Sequence, residues 1–233
     1  DFTPFPRITR IVEIFGRQPK DTLFVFANVC YDKGNVFAHE EQGVVLFPAQ
    51  FCAKDCAVPM KVDEMPRILL VPQDWVRYAF LVNFWSVQIP RYFRNNTMQA
   101  KCAFAISLSH LHCSKFWDGQ GVQNGVATPY LKSTAPNTGK TEILMAVHRF
   151  MGWSAKSLNQ GSVNTLAGAC YRMCELQADN TYCLDEIVTY TNAEESSKKV
   201  KELTHLAYNG SGRECIGKSE SMQTTFMGTS NVL

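Results

Sequence analysis

The chain has 233 residues and is 45% hydrophobic, which is enough for one large globular domain or two small ones. A formal net charge of +2 excludes any argument for a nucleic-acid partner from global charge alone. No apolar run reaches the roughly 18 residues of a membrane-spanning helix, so we expect no membrane partner. Nine cysteines, an odd number without a C-x-x-C pair, indicate reduced thiols in a soluble intracellular protein of the cytoplasm or nucleus.

The first 118 residues predict a mixed α/β leader region. Residues 1–20, which contain three prolines, predict a connector or a short helix. Residues 23–47 have β-type composition around the turn sequence Asp32-Lys33-Gly34-Asn35, which predicts two or three antiparallel strands.

Two helices are predicted next, because the apolar residues from position 73 onward recur at helical spacing. Pro90 predicts the end of the first helix. Residues 97–111 predict a second helix that is apolar nearly all round and therefore buried. His110, His112 and Cys113 invite interpretation as metal ligands, but helical residues two apart do not share a face. A buried or helix-terminal histidine is therefore the favoured interpretation.

An eight-residue loop follows the phosphate-binding pattern G-x-x-x-x-G-K-[ST] at every position but the first. Such a loop suits a triphosphate because backbone N–H groups, a helix N-terminus, a lysine and a hydroxyl face the anion and its Mg²⁺. The first position, where a side chain replaces the usual glycine, restricts the backbone. The loop consists of Thr134, Ala135, Pro136, Asn137, Thr138, Gly139, Lys140 and Thr141.

The segments beside this loop predict the strand–loop–helix order that phosphate binding requires. Residues 126–131 predict a short strand. Residues 142–152 predict a helix with Ile143 and Val147 on its apolar face and Gly152 as its C-terminal stop. A further helix is predicted over residues 163–178, and we interpret its cysteines as packing residues.

Acidic residues end the next predicted strand, over residues 181–186. We predict that Asp185 binds Mg²⁺ together with Thr141, and that Glu186 orients the attacking water. Lys140 is predicted to bind the β- and γ-phosphates. A last strand-like run, residues 221–231, ends in Asn231. A strand beside the acidic one presents Asn or Thr to the γ-phosphate or the attacking water in ring-type NTPases, and resemblance to them implies this role for Asn231.

The order of these motifs resembles that of superfamily 3 helicases and related AAA+ ATPases of viruses and mobile elements. It is more similar still to the uncharacterised helicase-like ATPase domain that accompanies primases in phages, plasmids and integrated elements. The resemblance covers residues 120–233 well and residues 23–118 loosely. It implies a P-loop NTPase core over residues 119–233, an αβα sandwich with a mostly parallel sheet.

The resemblance also implies an activity and partners. It implies ATP binding and Mg²⁺-dependent hydrolysis by a DNA helicase or translocase in replication of a virus, plasmid or mobile element. A homo-oligomeric ring of the full-length protein and single-stranded or forked DNA are the implied partners. Arg213 and Lys218, in a glycine-rich loop over residues 209–218, would contact DNA phosphates; an ordinary solvated loop is an equally weighted interpretation.

Two alternatives to a helicase stay open. A nucleotide-dependent switch or assembly ATPase would use the same loop and acids without moving along DNA. An inactive remnant is compatible with Thr134 and with a chain that we expect to be a fragment, because it stops within a strand-like run before any arginine finger.

Overall fold

The computed structural model describes residues 10–12, 15–18, 22–46, 67, 74–113, 127–133, 135, 137–154, 159–160, 177–188, 193–209, 211–215, 218–221 and 225–231. Six strands precede the first α-helix within these ranges, and helices separate some of the later strands. The strands are β1 (Arg10–Val12), β2 (Phe15–Arg17), β3 (Phe24–Val25), β4 (Cys30–Asp32), β5 (Asn35–Phe37), β6 (Val44–Leu46), β7 (Tyr130–Ser133), β8 (Asn159–Gln160), β9 (Gln177–Ala178), β10 (Thr181–Val188), β11 (Ser211–Cys215), β12 (Lys218–Ser221) and β13 (Thr225–Asn231). The α-helices are α1 (Asp74–Asn83), α2 (Ile89–Phe93), α3 (Thr97–His110), α4 (Lys140–Phe150) and α5 (Ala193–Asn209).

The N-terminal strands form a meander. β2 to β5 pair antiparallel in chain order, and β9 adds to β2 in parallel. Lys33 and Gly34, with φ of 46° and 90°, form the tight turn between β4 and β5, and such turns require positive φ at both central residues. The predicted antiparallel strands are confirmed. The connector or helix predicted for residues 1–20 is wrong where the structure describes it, since β1 and β2 are strands.

The helical segment continues through Pro90 instead of ending there, which corrects the prediction. Residues Phe84–Gln88 are π-helical, and the Ile89 N–H donates to the carbonyl of Phe84, five residues earlier. Proline lacks an N–H and clashes with the carbonyl four residues before it, so a widened turn directly ahead of Pro90 lets the helix proceed. A short 3₁₀ turn, Arg94–Asn96, then joins α2 to α3.

Helix α3 is buried on one face only, so the prediction of burial all round is wrong. Its inward residues include Ala103, Phe104 and His110. On its outer side, Met98 is 68% exposed and Leu108 is 41% exposed. The apolar composition of α3 therefore exceeds what the described residues cover.

A four-stranded sheet, all parallel, lies at the centre of the C-terminal half. Its order is β7-β13-β10-β8. Strand β13, the last one described, therefore lies between β7, which precedes residues 134–141, and β10, which contains Asp185 and Glu186. Strand β7 begins at Tyr130, later than the predicted start at residue 126. The helix predicted over residues 163–178 is wrong at its end, where β9 lies, and its other residues lie outside the described ranges.

Helices cover both faces of this sheet. Cys183 and Met227 point to the face covered by α4 and α3, where they join the main apolar cluster. Successive strand residues alternate between faces, so Leu184 points to the other face, as does Tyr130, which lies in register with it on the far side of Gly228. There the Tyr130 hydroxyl lies 3.0 Å from the hydroxyl of Thr204 in α5.

Contacts cross the division predicted between residues 118 and 119. One apolar cluster combines residues from both sides: Ile89, Ala100, Ala103, Phe104, Ile143, Leu144, Val147, Met151, Trp153, Cys183 and Met227. Arg17 of β2 forms an ion pair with Asp179 at 3.2 Å. None of the described helices combines the length and apolarity needed to cross a bilayer.

Candidate nucleotide-binding site

The phosphate loop joins the end of β7 to the start of α4. The Ser133 hydroxyl donates to the carbonyl of Ala135 at 3.0 Å and accepts from the Ala135 N–H at 3.1 Å, which fixes the exit of the strand. Gly139 has φ of 81° and is the N-cap of α4, without a side-chain cap. The first N–H groups of a helix have no intrahelical partner, and an anion satisfies them well. Thr134 and Pro136 lie outside the described residues.

Lys140 folds back over the loop. Its Nζ donates to the hydroxyl oxygen of Thr138 at 3.2 Å and to the carbonyl of Ala135 at 3.5 Å. An ammonium group has three donors and prefers anionic oxygen to neutral oxygen. A phosphate oxygen would therefore compete well with these two acceptors for Nζ.

The structure brings Thr141 and Asp185 together across 44 residues of sequence. The Thr141 hydroxyl donates to Oδ1 of Asp185 at 3.2 Å. A hydroxyl and a carboxylate this close can bind one Mg²⁺, which takes few protein ligands and completes its shell with water and phosphate oxygens. Among the described residues no group of three or more His, Cys, Asp or Glu could hold a metal ion.

Glu186 lies in an irregular part of β10. The sequence predicts that this strand ends at the acidic pair, but it continues to Val188. Its register against β13 shifts between Leu184 and Val188. Glu186 is exposed, has φ of 49°, and donates its N–H to Oδ1 of Asp185 at 3.1 Å. A bulge re-aims side chains, so Asp185 and Glu186 need not alternate between faces as in a regular strand.

Asn231 is the last residue of β13. It is paired in register with Ser133, the residue that ends the strand before the loop. Its main chain therefore lies at the same sheet edge as the loop and Asp185, whereas its side chain lies outside what the structure describes.

The two predicted DNA-contacting residues lie on a hairpin. Residues predicted as a glycine-rich loop form the antiparallel strands β11 and β12, which corrects the prediction; Arg213 is in β11, and Lys218 pairs with Cys215. The positions of the Arg213 and Lys218 side chains lie outside the described part of the chain.

Two contacts at the loop come from residues that the sequence analysis missed. The side-chain amide of Asn96 donates to the carbonyl of Thr138 at 2.8 Å. The Tyr92 hydroxyl donates to Glu142, in the first turn of α4, at 3.3 Å. Each of these residues precedes its partner by more than 40 positions, so no local spacing could reveal them.

The floor of the site is apolar. Cys183 is fully buried two residues before Asp185, and burial, followed by the charge of Asp185, raises the pKa of its thiol far above the usual range. The thiol therefore stays protonated and acts as a packing group. The four cysteines whose side chains are described are thiols and not disulfides: Cys30, Cys102, Cys113 and Cys183.

Comparisons with known proteins give no relative. No family model matches the sequence, and neither a curated protein nor a solved structure is significantly similar to it. The function is therefore argued from the site.

Proposed function

We propose that this chain binds ATP with Mg²⁺ and hydrolyses it, as an intracellular P-loop ATPase. In this proposal Lys140 binds the β- and γ-phosphates, Thr141 and Asp185 bind the metal, Glu186 orients the attacking water, and Asn231 contacts the γ-phosphate. Ala135 and residues 137–139, with Thr134 and Pro136, cradle the phosphates through the backbone.

The contact between Thr141 and Asp185 carries the proposal. The sequence motif predicts that its final hydroxyl and an acid on another strand share one metal ion, and the two side chains lie 3.2 Å apart. Chance resemblance to an eight-residue pattern gives no reason for this long-range contact.

The order of the strands supports the same site. Ligands of open parallel sheets bind beyond the carboxyl ends of the strands, where neighbouring strands are not consecutive in the chain. Strands β7, β13 and β10 are neighbours of that kind; the loop follows β7, Asn231 ends β13, and Asp185 lies in the carboxyl-terminal half of β10.

The DNA part of the proposal rests on the resemblance alone. A helicase or translocase working on single-stranded or forked DNA, as a homo-oligomeric ring in the full-length protein, is the use of ATP that the resemblance favours. Arg213 lies in β11 and Lys218 in β12, which pair antiparallel; in this proposal their cations contact DNA phosphates.

Replacing Lys140 by Ala tests the nucleotide site. A hydrogen bond to a charged group contributes about 1.5–3 kcal/mol, so Lys140→Ala should weaken Mg·ATP binding by at least about tenfold in titration calorimetry. The matched control is Lys201→Ala, which removes an exposed lysine of α5 and should leave the affinity unchanged. Equal affinity of wild type and Lys140→Ala would contradict the site.

The same samples separate the alternatives. ATP hydrolysis that increases with added single-stranded DNA supports the helicase or translocase. ATP binding without any response to DNA favours a switch or assembly ATPase, and absence of ATP binding in the wild type favours an inactive remnant.

A further inference from the structure

Asn96 occupies a position where its side chain would ordinarily serve its own helix. It is the N-cap of α3, and asparagine is among the best N-cap residues because its side-chain oxygen accepts from the first free N–H groups. Here the Asn96 side chain makes no capping hydrogen bond. Its Nδ2 donates instead to the Thr138 carbonyl of the phosphate loop at 2.8 Å.

The loop is shaped to receive this side chain. A Cβ atom at Gly139 would lie 3.1 Å from Nδ2 of Asn96, closer than ordinary van der Waals contact. Gly139 also has φ of 81°, a conformation that side chains disfavour. The glycine of the motif therefore leaves room for Asn96 as well as providing the turn.

The chain approaches Asn96 through a strained turn. Arg94 has φ of 48° and ψ of −112°, outside the regions that non-glycine residues normally occupy. Such a conformation persists only where surrounding contacts hold it, and it is most frequent at functional sites. The Thr97 hydroxyl donates to the Arg94 carbonyl and closes this turn.

The hydrogen bond fixes a peptide plane. In a trans peptide the carbonyl of one residue and the N–H of the next point in opposite directions, and the described chain contains no cis peptide bond. Because the Thr138 carbonyl points to Asn96, the Gly139 N–H points away from Asn96. If this peptide rotated so that the Thr138 carbonyl faced the phosphate site, the carbonyl would repel phosphate and the Gly139 N–H would point away from it.

We infer that Asn96 is a positioning residue for phosphate binding, which holds the Thr138–Gly139 peptide with its N–H free for a phosphate oxygen. The inference rests on the proposed function, since it gives the ATP site a further residue. Asn96 does not touch the reacting atoms; it acts through the orientation of the loop.

Replacing Asn96 by Asp separates positioning from capping. Aspartate caps a helix as well as asparagine, but it offers only acceptors and repels the Thr138 carbonyl. Asn96→Asp should therefore weaken Mg·ATP binding about tenfold or more and leave the melting temperature without nucleotide unchanged. Asn95→Asp is the matched control, because Asn95 is exposed and places the same charge one residue away.

A second variant covers the case in which a carboxylate disturbs folding. Asn96→Ser keeps a capping side chain that is too short to reach the loop, and it should weaken Mg·ATP binding about fivefold. Equal affinities of Asn96→Asp and Asn95→Asp would overturn the inference. So would losses of affinity in both Asn96 variants that only follow losses of thermal stability.

The outcome for Lys140→Ala distinguishes this inference from the proposed function. If Lys140→Ala loses affinity and Asn96→Asp does not, the ATP site stands and the role of Asn96 fails. If the wild type does not bind Mg·ATP, both fail together.

Discussion

At Asp185 a single oxygen holds together the two sequence motifs of the proposed site. Oδ1 accepts the Thr141 hydroxyl at 3.2 Å and the Glu186 N–H at 3.1 Å. Both donors reach the same carboxylate oxygen, and a neutral amide oxygen at this position could accept both of them as well. In the proposed site the charge of Asp185 would therefore serve the metal ion and not these two hydrogen bonds.

Replacing Asp185 by Asn removes the charge and keeps an oxygen that can accept hydrogen bonds. An amide oxygen still accepts both hydrogen bonds, so the unfolding free energy should change by less than about 1 kcal/mol. Mg²⁺ prefers carboxylate ligands, so the increase in ATP affinity on adding Mg²⁺ should fall about tenfold or more. Titration calorimetry with ATP, with and without Mg²⁺, measures this effect.

A matched control comes from the N-terminal meander. Asp32 also accepts a threonine hydroxyl, from Thr22, but it lies in another sheet. Asp32→Asn should leave the Mg²⁺ dependence of ATP binding unchanged. A Mg²⁺ dependence that survives in Asp185→Asn would remove Asp185 from the metal site.

Local sequence indicates some of these residues and is silent on others. Lys140 and Thr141 are recognisable because a phosphate-binding motif takes its backbone amides, helix start and side chains from a few consecutive residues. Asp185 is recognisable because acids follow an apolar run. Asn96 is not, because its contact with Thr138 depends on how a strained turn packs 42 positions away. A capping preference was its only local signal.

Among the elements, one helix end was predictable from local sequence. Gly152, with φ of 90°, follows Met151, the C-cap of α4, as a C-terminal stop requires. The passage through Pro90 was not predictable, because it depends on the π-helical turn before it. That only one face of α3 is buried was not predictable either, because apolar composition does not determine which other elements pack against a helix.

Replacing Gly152 by Ala should destabilise the protein for two reasons. A left-handed backbone disfavours any side chain by about 1–2 kcal/mol. In addition, a Cβ atom at Gly152 would lie 2.7 Å from the carbonyl oxygen of Arg67, whose N–H donates to the Gly152 carbonyl at 2.7 Å. We expect a loss of about 3 kcal/mol or more in urea unfolding, because the backbone of Arg67 must move.

Gly34 supplies the matched control for this loss. It also has φ of 90°, but an added Cβ would meet nothing within 4 Å. Gly34→Ala should therefore lose only the conformational part, about 1–2 kcal/mol. Equal losses in the two variants would show that the approach of Arg67 to Gly152 does not matter for stability.

On the scale of the whole molecule, the two halves share hydrogen bonds as well as apolar contacts. Strand β9, from the C-terminal half, extends the N-terminal sheet beside β2. Buried Asp179, which follows β9, accepts from Arg17 and from the thiol of Cys113. The predicted order of motifs contained no signal for these connections, since pairing between distant short strands has no local sequence pattern.

His110 joins helix α3 to strand β10 and to the segment before β7, at the amino end of the parallel sheet. It ends α3, its Nε2–H donates to the Ala127 carbonyl at 2.9 Å, and its Nδ1 lies 2.9 Å from the Thr181 hydroxyl, at the start of β10. A carbonyl can only accept, so the neutral ring carries its proton on Nε2 and accepts from Thr181. The buried, helix-terminal histidine predicted from the sequence is confirmed.

Acid should destabilise the protein through this histidine. Burial lowers the pKa of His110 from 6.5 to about 4, although the hydrogen bond to Ala127 opposes the shift. Between pH 6.5 and about pH 4, His110 is therefore protonated in the unfolded chain and neutral in the folded chain. The contribution of His110 to the free energy of unfolding is fully present above pH 6.5 and falls as the pH drops toward 4, by at most about 3 kcal/mol. Burial lowers the pKa of His148 in the same direction.

Replacing His110 by Gln isolates its share of this dependence. Glutamine keeps one donor and one acceptor but does not titrate, so His110→Gln should be less stable than wild type at pH 7. In urea unfolding the difference should shrink by about 1–3 kcal/mol between pH 7 and pH 4.5, because only the wild type loses the histidine contribution. The control His112→Gln changes an exposed ring two positions away and should follow the wild type at every pH. A constant difference between wild type and His110→Gln across this range would show that His110 does not couple protonation to folding.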